Sequence, residues 1–255
     1  MRSWPAMDGH GTTRNVSLLG QRVVREDPQA VASEVARWVA DLAQRSVDDH
    51  GSFSIALAGG STPRLLYDAL AGPAWRDRVD WPMWHVFFGD ERACPAGDPS
   101  SNYHLAETTL LSRVSIDPAR VHRMPADSAD LDAASIEYSD LLAASLSPNA
   151  NGAPRLDVVL LGLGENGHTA SLFPGTHALD VTDRWATRGL ADYVPYDRMT
   201  LTYPAINAAA AVGFMVTGPA KVPALAATAR GEVPASRVSP VDGVLVWFLD
   251  AAAAS

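Results

Sequence analysis

Within this 255-residue chain, the strongest candidate for chemistry is a histidine set among glycines just after an apolar run. The segment is LDVVLLGLGENGHTASLFP, residues 156–174. Gly162, Gly164 and Gly167 allow a sharp turn and close approach to a ligand, and they bracket Glu165, Asn166 and His168. An imidazole with an ordinary pKa near 6.5 suits proton transfer around neutrality. The plain alternative is a loop histidine capping backbone groups. Its place at the end of a buried strand favours function, because open α/β sheets bind ligands there. Metal binding is not expected: no HxH or HExxH occurs, and His177 lies nine residues on without helical spacing to His168.

Other candidates also follow predicted strands. Gly59-Gly60-Ser61-Thr62 offers backbone N–H groups, hydroxyl donors and a helix N-terminus, a combination that can cradle a phosphate. An ordinary turn with a hydroxyl cap fits those residues equally well, and neither a P-loop nor a dinucleotide GxGxxG is present. Asp90-Glu91-Arg92 contains a guanidinium able to clamp phosphate or carboxylate, against the commoner outcome of a loop ion pair. Asn102, in Ser101-Asn102-Tyr103, is more simply part of a helix N-cap. Arg198 opens a possible strand, and Lys221 follows the turn Gly218-Pro219-Ala220; a solvated surface lysine is the default for the latter. Together these positions point to one edge of one sheet.

The elements that must hold them alternate. Asp27-Pro28 reads as a cap and first turn, followed by Val31, Val35, Trp38 and Leu42 at helical spacing, which predicts a helix over about 28–45. Strands are predicted at 53–58, 84–88, 156–161, 198–202, 211–216 and 244–249. Helices are predicted after Thr62, at 102–111, at about 130–145, after Thr169, at 203–210 and at 221–229. Such alternation implies an α/β fold with a doubly wound, mainly parallel, Rossmann-like sheet. A single domain is expected over 16–250, between a flexible segment 1–15 and a frayed Ala-rich tail 251–255.

Composition narrows the classes. Apolar residues make up 47% and charged residues 19%, as in a globular protein. The net charge of −9, without a basic block, argues against a nucleic-acid or anionic-membrane surface. An anionic substrate would therefore need a local cluster of cations. Cys94 is the only cysteine, which excludes an internal disulfide. No apolar run approaches membrane-spanning length, and residues 1–15 lack the apolar core of a secretory signal. The expectation is a soluble cytoplasmic protein, a monomer or small homo-oligomer.

Four segments carry a family resemblance: ALAGGSTPRLLYDAL (56–70), WHVFFGDER (84–92) with SSNYHLAETTLL (100–111), LLGLGENGHTASLFPG (160–175), and RMTLTYPAINAAAAVGFMVTGPAKVPAL (198–225). In this order they resemble the 6-phosphogluconolactonases of the glucosamine-6-phosphate isomerase/6-phosphogluconolactonase family. The resemblance implies a three-layer α/β/α sandwich and cofactor-free, metal-free hydrolysis of 6-phospho-D-glucono-1,5-lactone in the oxidative pentose phosphate pathway. It implies His168 as general base, with Asn166 beside it. Gly59, Gly60, Ser61, Thr62, Arg198 and Lys221 would surround the phosphate, Arg92 would lie near the sugar ring or phosphate, and Asn102 near the substrate. The family commonly has an acidic residue where this chain has Asn166, so Glu165 and Asp90 become candidates to supply the missing charge. Two rivals share the reading. An amino-sugar-phosphate deaminase or isomerase is disfavoured because Ser171-Leu172-Phe173-Pro174 lacks the glutamate of those enzymes. A non-catalytic sugar-phosphate sensor is disfavoured by the presence of His168.

Overall fold

The computed structural model describes residues 18–255; the segment expected to be flexible, 1–15, lies outside them. In chain order the elements are β1 (Gln21–Arg25), α1 (Pro28–His50), β2 (Phe53–Leu57), α2 (Ser61–Leu70), β3 (Trp84–Phe88), β4 (Asp90–Arg92), α3 (Asn102–Thr109), α4 (Leu131–Ser145), β5 (Val158–Leu161), β6 (Ala186–Leu190), β7 (Asp197–Leu201), α5 (Tyr203–Asn207), β8 (Ala211–Val216), α6 (Val222–Ala229) and β9 (Val244–Asp250). Six strands form a parallel sheet in the order β1-β9-β8-β5-β2-β3, with helices on both sides, giving the three-layer α/β/α arrangement. β2, β5 and β8 are buried along their whole length, which is why they read as continuous apolar runs.

From β2 the chain moves outward to β3, then crosses back to β5 on β2's other side. The loops after β2 and β5 therefore diverge, and such a switch point opens a crevice at the strands' C-terminal ends. α1 is fixed at both ends: Asp27 accepts from the Ala30 amide at 2.8 Å, and Gly51 closes the helix in the left-handed region at φ 82°. It runs to His50 rather than Arg45: Val47 still packs against the core, although Asp48, Asp49 and His50 around it are exposed. Val31, Val35, Trp38 and Val39 are buried on its inner face.

A second sheet was not expected. β4, β7 and β6 form a three-stranded antiparallel sheet, and β4 continues from β3 after only Gly89. β7 corresponds to the strand predicted from Arg198, but β4 and β6 are charged or glycine-containing and show no alternation. The helix predicted after Thr169 does not form. Ala170 lies at φ 46°, the Thr169 hydroxyl donates to the Gly162 carbonyl at 2.9 Å, and the Ser171 hydroxyl donates to Asp90 at 2.7 Å. Both hydroxyls thus serve loop contacts instead of a helix cap. In the tail expected to fray, Ala253 is buried and its amide donates to Asp250 Oδ1 at 2.8 Å.

The core includes Trp247 on β9, stacked on Phe214 with centroids 3.9 Å apart and planes 8° from parallel. Its indole N–H donates to the Leu19 carbonyl at 2.8 Å. Trp247→Ala is expected to lower unfolding free energy by about 3–5 kcal/mol. A urea melt at unchanged m-value would show this as an earlier midpoint.

Candidate active site

Four strand ends converge on a cleft of about 240 Å³. Gly59 and Gly60 come from the end of β2, Gly89, Asp90 and Arg92 from β3 and β4, Gly162, Gly164 and His168 from beyond β5, and Lys221 from beyond β8. Gly60, at φ 114°, caps α2 without any side-chain bond, in a conformation that a β-carbon disfavours. The first N–H groups of α2 are left without a side-chain cap beside the cleft.

His168 owes its position to its own loop. A β-carbon on Gly164 would lie 2.0 Å from His168 Nδ1, so only glycine lets the ring fold back over this turn. The ring stacks on buried Phe173, with centroids 3.9 Å apart. Asn166 Oδ1 accepts from His168 Nδ1 at 2.6 Å and from the His168 backbone amide at 3.1 Å. Because a carbonyl oxygen can only accept, Nδ1 carries the ring proton and Nε2 carries the lone pair. Burial, aided by Lys221 and Arg198 and opposed by Asp90 and Asp192, lowers the His168 pKa to about 4. The imidazole is therefore neutral at physiological pH, the form able to accept a proton.

Arg92 and Lys221 line the same cleft as His168, and the charges of Lys221 and Arg198 act on its ring. Strand pairing sets Arg92 directly across from Arg198. Arg92 donates to the Ser100 carbonyl. Arg198 is 1% exposed, yet neither terminal guanidinium nitrogen has a hydrogen-bond partner. Burial and the facing Arg92 hold its pKa below the usual arginine value. Its face lies 5.1 Å from the Tyr193 ring centroid. Two like charges opposed across a ladder, one desolvated and unpaired, constitute an arrangement that a bound anion would stabilise.

The other predicted residues fall into place unequally. Asn102 is buried over Gly59 and donates from Nδ2 to Asp90 O and Oδ1, at 2.8 and 3.1 Å. It supports the wall and does not line the cleft. Glu91 is buried and accepts from the amides of Arg92, Asn102 and Tyr103 and from the Ser101 hydroxyl, tying β4 to the start of α3. Thr62 is committed to Thr217, 2.8 Å away, while Ser61 is exposed at the first turn of α2. Glu165 is exposed and takes no part in the histidine's hydrogen bonds. Asp90, engaged by Ser171 and Asn102, acts on His168 only through its charge. The carboxylate behind Asn166 is instead Asp192, which accepts from Asn166 Nδ2 at 2.9 Å. Asp192 and Tyr193 escaped sequence reasoning, because they lie in a loop far along the chain and carry no motif. Phe173 lay within the glycine-histidine segment, but its stacking on His168 carried no sequence signal.

The family model for glucosamine-6-phosphate isomerases/6-phosphogluconolactonase matches residues 26–247. The chain belongs to that isomerase/lactonase family. One relative in this family is the 6-phosphogluconolactonase of a Nostoc species, 42% identical over 82% of this chain and 86% of its own length. A probable 6-phosphogluconolactonase of Arabidopsis thaliana is 34% identical over 92% and 93% of the two chains. The solved structure of 6-phosphogluconolactonase from Trypanosoma brucei superposes with a TM-score of 0.82 at 28% identity, covering 93% of this chain and 98% of that one. The mostly parallel sheet with helices on both sides is shared with that solved structure.

The histidine's environment sets a sign that can be tested. A depressed imidazole pKa means that the unfolded chain binds the proton more readily than the folded one. His168 therefore costs no stability above about pH 6.5, and its burial becomes destabilising as the pH falls from there towards 4. Ring-resolved NMR titration should give a His168 midpoint near 4. A midpoint at 6 or above would contradict this account of its burial.

Proposed function

We propose that the chain hydrolyses 6-phospho-D-glucono-1,5-lactone to 6-phospho-D-gluconate, with His168 as the general base. The observation that carries this reading is the His168 ring itself: neutral, with Nδ1 committed to Asn166 and Nε2 free of any partner among the described residues. It lines a cleft together with Arg92, Lys221 and Tyr193, and Arg198 packs against the Tyr193 ring. A cationic end and a basic end in one small cleft suit a substrate that is a phosphate at one terminus and an activated ester at the other.

The phosphate sits against Arg92, Arg198 and Lys221, at the N-terminus of α2, with Gly59, Gly60 and Ser61 supplying backbone and hydroxyl donors. Anchoring that end restricts the lactone carbonyl to the neighbourhood of His168 and removes much of the entropic barrier. Nε2 takes a proton from water as the water oxygen bonds to C1. The resulting tetrahedral oxyanion collapses, the bond from C1 to the ring oxygen breaks, and the imidazolium returns its proton to that oxygen. No covalent enzyme intermediate is needed, and the Ser171 hydroxyl is already committed to Asp90. The step belongs to the oxidative pentose phosphate pathway. We assign it to the cytoplasm; among the described residues no helix is long and apolar enough to cross a membrane.

The test is hydrolysis of freshly made lactone, coupled to oxidation of the product by 6-phosphogluconate dehydrogenase. His168→Ala should lose about 10²–10⁴ in kcat over the spontaneous background while still binding 6-phosphogluconate. Retention of the wild-type rate would sink the general-base role. Arg198→Met separates binding from fold. Removing a buried, unpaired cation should leave the unliganded melting temperature unchanged or raised. The same substitution should weaken 6-phosphogluconate binding by about 10- to 100-fold, as expected for lost charge-assisted hydrogen bonds. A lower melting temperature with unaltered binding would assign Arg198 to the fold alone.

A further inference from the structure

Asn166 poses a problem that a carboxylate would not. An amide has two chemically opposite ends, and only the carbonyl end can hold a proton on His168 Nδ1. Turned by 180°, its NH2 would face the ring instead. Nδ1 would then have to accept, the proton would move to Nε2, and the base would lose the lone pair that attacks water. Something must therefore fix which way the amide points.

Two contacts do so. The His168 backbone N–H donates to Asn166 Oδ1 at 3.1 Å, on the ring side. On the far side, Asn166 Nδ2 donates to Asp192 Oδ2 at 2.9 Å. A carboxylate can only accept, so a flipped amide would set oxygen against oxygen there. Asp192 comes from the loop between β6 and β7, and the next residue, Tyr193, lies beside both His168 and Phe173. Among the described residues Asp192 makes no other hydrogen bond or ion pair, so its carboxylate is committed to this one donor.

We propose that Asp192 is a positioning residue for the base: it sets the polarity of the Asn166 amide and thereby the Nδ1–H tautomer of His168. The inference rests on the reading of His168 as general base. It goes further by assigning the carboxylate of the system to a distant loop, reaching the ring through a neutral relay. Asp192 acts in the ground state by holding Nε2 free. Once Nε2 has taken the proton, its charge also favours the imidazolium across the amide.

The experiment combines kinetics with ring 15N spectra of the full chain at pH 7.5, where a pyrrole-type and a pyridine-type nitrogen have well-separated shifts. In the wild type, Nδ1 should be pyrrole-type and Nε2 pyridine-type. Asp192→Ala should give mixed tautomers and lower kcat by about 5- to 30-fold with KM unchanged, on the scale of one lost hydrogen bond to an ionised group. Asp192→Asn should rescue the tautomer and kcat only in part, because its carbonyl can accept from Nδ2 but its NH2 can equally donate to a flipped Asn166. In an Asn166→Asp background there is no amide to orient, so adding Asp192→Ala should cost little. Such non-additivity is the mark of coupling between the two positions. A folded Asp192→Ala with wild-type tautomer and kcat would overturn the inference, as would equal losses in both backgrounds. Should His168→Ala keep the wild-type rate, the general-base reading fails by itself; the ring spectra still decide whether Asp192 sets the tautomer.

Discussion

Parallel strands must all deliver their C-terminal ends to the same edge of a sheet, and the site depends on that constraint. Where the chain reverses its direction of travel, between β2 and β5, the loops leaving that edge part to opposite sides. The cleft lies there, so residues more than a hundred positions apart in sequence become neighbours without any element built for the purpose. The short passage from β3 through Gly89 into β4 adds a second wall. It turns the chain out of the large sheet into the small one and carries Asp90 and Arg92 with it.

Much of this was legible in the sequence, for identifiable physical reasons. Doubly buried strands such as β5 and β8 announce themselves as apolar runs, and α1 by its spacing and its Asp-Pro start. The glycine-histidine segment was recognisable because a ring folded onto its own loop needs room that only glycine leaves. What stayed hidden came from pairing rather than propensity. β4 is a strand because β7 lies beside it, and nothing in Asp-Glu-Arg says so. The hydroxyls of Thr169 and Ser171 suggested a helix cap, but the same groups satisfy loop partners that only the folded chain brings near. Asp192 is the sharpest case: its partner lies 26 residues upstream, and no local pattern joins them.

The charge distribution follows the same logic at larger scale. A chain with a net charge of −9 repels anions on average, yet the register of β4 and β7 sets Arg92 against Arg198 at the cleft. An amide at position 166 puts no full negative charge in hydrogen-bond contact with His168, and the carboxylate of that hydrogen-bonded chain stands one residue further out. Burial then dominates the imidazole's protonation, and the ring stays neutral.

The unpaired Arg198 guanidinium makes the empty protein the less settled of two states. A desolvated charge without a counter-ion costs several kcal/mol, and any anion that pairs with it shifts the folding equilibrium as it fills the site. Occupancy and sturdiness are then two readings of a single equilibrium. In a cell where the ligand is scarce, more of this chain stands in its softer form and is open to proteases; where the ligand is plentiful, the cargo itself preserves the population that handles it.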